Sequence, residues 1–265
     1  MKHDDLPIGV FDSGIGGLPC LEKFINHFPN EDFIYIADTL HCPYGIREKD
    51  DIRNIVKETG QKLIDQKVKM ILIACNTATI NDDLLLNISP VPIIGTVEAT
   101  AAVAVKISNK ENILVLGTNA TIASNKYQME LEKDIDGRKH NIYAVPLSEA
   151  VPLVEEGTLK GPKLDELLES KFKDLLDKDI DTVIMGCTHF EYIKDEILKY
   201  FPGAKGVCSG DAMSEVVERL MEYKEIFSSH IKHGKLTLET TGDLDLFKKQ
   251  SSWFPYKVDE YKKIK

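Results

Sequence analysis

The sequence has no apolar run long enough to cross a bilayer, no surplus of positive charge and no closely spaced pair of cysteines. The first absence argues against a helical membrane span. The second, a formal net charge of −10, argues against a nucleic-acid partner, because such binders present a basic stripe to the phosphates. Lysine is densest in the tail from Lys257 to Lys265, where Asp259 and Glu260 interrupt it, so the tail reads as a solvated terminus. The five cysteines are odd in number and contain no C-x-x-C, which fits neither a disulfide framework nor a zinc ribbon. Free thiols in a reducing compartment remain. The N-terminus, MKHDDLPIGVF, lacks the apolar core and cleavage site of a secretory signal, so an unprocessed, cytoplasmic chain is expected. At 265 residues it can form one large domain or two ordinary ones.

What is present is an alternation of strand and helix patterns. Short apolar runs at Ile8–Phe11, Phe33–Ile36, Met70–Ala74 and Ile93–Ile94 read as strands. Between them, Leu18, Leu21, Ile25 and Phe28, and then Ile52, Ile55, Val56, Leu63 and Ile64, recur at helical spacing. The pattern restarts with strands at Ile113–Leu116, Asn141–Ala144 and Thr182–Met185 and a short one closed by Val207. A helical stripe runs from Leu164 to Leu176, and helical periodicity returns between Ala212 and Tyr223. Such β-α-β alternation predicts parallel sheets with helices on both faces.

The restart has the form of a weak internal repeat. Ile8–Ser13 (IGVFDS) is similar to Ile113–Thr118 (ILVLGT), and Leu72–Thr77 (LIACNT) to Ile184–His189 (IMGCTH). The fold expected is therefore α/β, with two pseudo-symmetric parallel-sheet domains and a site between them. Residues 1–97 with 209–265 would form the first domain, and 98–208 the second. Open parallel sheets bind ligands at the carboxyl ends of their strands.

Those strand ends collect polar side chains that a core would not: Asp12, Ser13, Asp38, Thr39, Cys75, Asn76, Thr77, Thr118, Thr121, Cys187, Thr188 and His189. Two of them are thiols in matching positions, each directly after an apolar strand. A thiol with an ordinary pKa of about 8.5 can give or take a proton near neutrality. One such thiol suggests a nucleophile; two on facing halves suggest an acid and a base acting across one carbon. Cys20 and Cys42 read as packing residues, and His41 as a surface or gating residue. DSGIGG does not make a dinucleotide fingerprint, because Pro19 stands where the third glycine would be.

The segments GVFDSGIGGL, CPYG, ACNTAT and GCTH, in order over nearly the whole chain, resemble the signatures of the glutamate racemase family. The resemblance implies that Cys75 takes the α-proton of the D-enantiomer and Cys187 that of the L-enantiomer, with no cofactor and no metal. It makes Asp12 and His189 partners of the thiols and Glu155, in VPLVEEG, a further acid. Asp12, Ser13, Tyr44, Gly45, Asn76, Thr77, Thr118, Thr121, Thr188 and His189 would bind substrate. It implies a homodimer that acts on glutamate and supplies D-glutamate for peptidoglycan; a relative acting on aspartate or another acidic amino acid is the alternative. Four positions depart from the usual pattern: Pro19-Cys20 for Thr-Val, Val145 for Cys, and Cys208 for Asp.

Overall fold

The computed structural model describes residues 4–133 and 137–265, so the first three residues of the N-terminal segment lie outside it. Among the described residues, ten strands form two sheets. The first contains β1 (Ile8–Asp12), β2 (Phe33–Ala37), β3 (Met70–Ile73) and β4 (Ile93–Ile94); the second contains β5 (Asn112–Gly117), β6 (Asn141–Pro146), β7 (Thr182–Gly186) and β8 (Lys205–Val207). Two further strands, β9 (Leu236–Thr240) and β10 (Glu260–Lys263), return to the first sheet. The orders are β10-β9-β2-β1-β3-β4 and β6-β5-β7-β8, with every pairing parallel. The four-strand pattern that begins each sheet is the same, which gives the repeat a structural form.

Register brings the chemistry level. Phe11 pairs with Ile73 across β1 and β3, and Gly117 with Gly186 across β5 and β7. Two residues beyond the first pair are Ser13 and Cys75; one beyond the second are Thr118 and Cys187. A parallel sheet with this register must present all four at one edge.

The strands are apolar along both faces because helices cover both. Val10, Tyr35, Leu72 and Leu238 pack on one side of the first sheet, and Phe11, Ile36, Ile71 and Ile73 on the other. The helix Thr96–Ile107 joins the sheets: Val97, Ala101, Ala104 and Val105 pack toward the second, while Ala99 belongs to the core of the first. Its alanines allow close approach on both sides.

The tail differs from the expectation of a solvated terminus. Glu260–Lys263 pairs with Thr237–Thr240 as an edge strand, and Tyr261 stacks edge-on against Phe247. Its lysines suit an edge, where charge discourages pairing with another chain. The alternation of LTLET marks β9, which the sequence reading, ending near Tyr223, does not reach.

Candidate active site

The strand ends of the two sheets enclose a cavity of about 540 Å³. Ser13, Tyr44, Gly45, Cys75, Asn76 and Thr77 wall it from the first sheet. Thr118, Glu155, Cys187, Thr188 and His189 wall it from the second. Glycines set the spacing between the walls. A Cβ on Gly16 would lie 2.7 Å from His189 and Thr188 side-chain atoms, and one on Gly45 would lie 3.1 Å from Thr118. DSGIGG is thus a close-approach loop that lets the second sheet's residues reach the first.

Cys75 ends β3 and caps the short helix Asn76–Thr79, its sulfur accepting from the Ala78 N–H at 3.4 Å. The Ser13 hydroxyl is 3.9 Å from the same sulfur. Burial, followed by the charge of Asp12, pushes the Cys75 thiol well above its ordinary range, which favours the protonated form. Cys187 has a different neighbour, His189 Nδ1 at 3.7 Å. The other nitrogen of that ring, Nε2, is 2.5 Å from Glu155 Oε1. Burial alone would lower the His189 imidazolium, but Cys187 and Glu155 together raise it to about 10. The two walls therefore bias their groups differently: burial favours the neutral thiol at Cys75, and Cys187 and Glu155 favour the protonated ring at His189.

Two residues expected on the wall stand behind it. Asp12 is fully buried; its carboxylate accepts from the Gly14 N–H at 2.9 Å and from the Thr188 hydroxyl at 3.4 Å, and meets neither thiol directly. Burial raises its carboxyl to about 6. Thr121 is also fully buried and supports the wall from below, 2.9 Å from Thr118 Oγ1 and 3.4 Å from Thr77 Oγ1. The reason is the helical turn after β5, which directs Thr118 outward as N-cap and Thr121 back under it.

Cys42 moves the other way, since it lines the cavity instead of only packing. Burial holds its thiol up at about 12. Its position just before Pro43-Tyr44-Gly45 was the available signal. Asp38 is not a wall residue. It accepts from Tyr44 at 2.6 Å and from Thr241 at 2.6 Å, and lies 2.9 Å from His41 Nδ1, so it anchors the loop that carries Tyr44. Ser148, Val151 and Pro152 complete the wall opposite and were not legible as site residues.

A match to the Asp/Glu/hydantoin racemase family spans residues 20–217. The chain belongs to this family of isomerases. Within it, the chain is similar to a glutamate racemase from Staphylococcus epidermidis, with 36% identity over 96% of both chains. A solved glutamate racemase isoform from Bacillus anthracis superposes with a TM-score of 0.90 at 28% identity, over 99% of this chain and 98% of that one. A glutamate racemase from Francisella tularensis, solved with D-glutamate, gives 0.89 at 29% identity, over the same shares.

Proposed function

We propose that the chain is a glutamate racemase that moves the α-proton between Cys75 and Cys187, one on each face of the substrate. The observation that carries this is a single cavity with a buried thiol on each of two facing walls. Residues 1–97 with 209–265 act as one half and 98–208 as the other. L-Glutamate loses its proton to the sulfur of Cys187, which has His189 Nδ1 beside it at 3.7 Å, and Cys75, whose burial favours the protonated thiol, delivers a proton to the opposite face. The D-enantiomer runs the same steps in reverse. Ser13, Asn76, Thr77, Thr118 and Thr188 supply hydroxyl and amide groups to the substrate carboxylates, with Tyr44 and Gly45 closing the first wall. Glu155 holds His189 in place, and Asp12 acts through its charge and through Thr188. The carbanion-like charge that develops is met by these fixed donors. No cofactor or metal takes part in these steps. The enzyme works as a cytoplasmic homodimer and supplies D-glutamate for peptidoglycan.

The test uses L-glutamate in D₂O with the reaction stopped early. A thiol carries one proton and is confined to one face. The D-glutamate formed should therefore carry deuterium at Cα, while remaining L-glutamate stays almost unlabelled. D-Glutamate as substrate should give the mirror pattern. Product that is mostly unlabelled would eliminate two separate bases. L-Aspartate turned over faster than L-glutamate would move the assignment to the alternative substrate.

His189 makes a second expectation. Because its proton is held to about pH 10, the alkaline fall of kcat due to His189 should come only in strongly alkaline solution. His189→Asn should lower kcat by about tenfold or more with KM little changed, as for a group that acts in the transition state. A rise in KM at constant kcat would make His189 a binding residue instead.

A further inference from the structure

Asn76 is 2% exposed, walls the cavity, and carries a buried Nδ2 with no hydrogen-bond partner among the described residues. Its other terminal atom is doubly engaged. Oδ1 accepts from the Tyr127 hydroxyl at 2.6 Å and from the Thr96 hydroxyl at 2.9 Å. A primary amide has two ends of opposite polarity, and which end faces the substrate decides whether it attracts or repels a carboxylate. A flipped Asn76 would present its carbonyl oxygen to an anion and leave both hydroxyls facing an N–H₂ group.

Neither hydroxyl belongs to the cavity wall. Tyr127 lies in the helix Lys126–Leu131, packed with the second sheet, and Thr96 opens the helix that joins the sheets. Both residues are fully buried, so their geometry is set by the core. An amide carbonyl oxygen has no proton to give, so the two hydroxyls are the donors in these contacts.

We infer that Tyr127 is a positioning residue for substrate binding: with Thr96 it clamps the Asn76 amide so that Nδ2–H points at the substrate carboxylate. The inference rests on the racemase reading given above. It also links the halves. A tyrosine packed with the second sheet orients a donor at the end of the first, so the carboxylate site forms only when the two sheets are in register. An unclamped amide would spend part of its time flipped, and the loss would fall on binding more than on proton transfer.

The experiment is steady-state kinetics of L-glutamate racemisation on the full chain, with melting temperatures measured alongside. Tyr127→Phe removes the hydroxyl and keeps the ring. It should raise KM about tenfold, the size expected for one buried hydrogen bond, with kcat within about threefold of wild type. Thr96→Val should act in the same direction, and Thr96→Ser should restore KM because the donor is kept. In an Asn76→Ala background, Tyr127→Phe should have no further effect on KM. A purely structural role would lower the melting temperature of Tyr127→Phe and leave KM alone, and that result overturns the inference. So does an equal rise in KM with and without Asn76. Wild-type protein that does not racemise glutamate would overturn the functional reading, and this inference with it.

Discussion

Serine in place of Cys75 or of Cys187 is expected to lower racemisation in both directions by about a thousandfold, within the range for loss of a general acid or base. Each direction uses both thiols, one to take the proton and one to give it, so neither variant should retain a favoured direction. A hydroxyl has nearly the size of a thiol but is far too weak an acid to exchange protons at neutral pH. The fold should survive. Cys75 caps the helix Asn76–Thr79 through its sulfur, and serine is a preferred residue at that position. Cys187 follows β7 in extended conformation and caps nothing, so its replacement removes no backbone partner. The measurement is circular dichroism of L- and D-glutamate over time, with thermal melts as the control. Activity within about tenfold of wild type in either variant would remove that cysteine from the mechanism.

Asp12→Asn should make the protein slower and more stable at once. The carboxylate is fully buried and burial raises it from 3.8 to about 6, so above that pH the fold holds a charge that water would solvate better. A group of this kind binds its proton more tightly when folded. Stability is therefore unaffected below about pH 4, where both states are protonated, and falls as pH rises toward 6. Asparagine removes the penalty while keeping an acceptor for the Gly14 N–H. The gain should be absent near pH 4, grow through pH 6, and level off above it at on the order of 3 kcal/mol. Turnover should drop by between about tenfold and a hundredfold, with a smaller change in KM, because the charge that adds to burial in favouring a protonated Cys75 is gone. Denaturant midpoints from pH 4 to 8, beside kcat and KM, test both halves. A variant less stable than wild type at pH 8 would show that Asp12 is compensated by more than the contacts seen here.

The sequence carried the chemistry because that chemistry sits at strand ends. Apolar runs such as MILI and TVIMG announce buried parallel strands, and the residue after each is the one that the sheet edge must present. Cys75 and Cys187 could be read in this way, and the repeat placed them on opposing halves. The tail could not be read. EYKK has too little apolar content to declare a strand, and it becomes one only because β9 offers it an open edge.

Side-chain direction was the other hidden quantity. Thr118 and Thr121 are alike in the sequence, yet one helical turn sends the first to the cavity and the second beneath it. Asp12 belongs to the most recognisable segment of the chain and is still sealed behind Thr188. Tyr127 carries no local signal at all, since its relation to Asn76 spans 51 residues and two sheets. The sequence by itself determined the parallel α/β class, the two thiols and the polar strand ends, all of which depend on local periodicity and on residue type. Tertiary structure alone decided which of those groups face the cavity, how the two thiols come to differ in charge environment, and which buried hydroxyls orient a donor, because burial and distance exist only once the two sheets have been brought together.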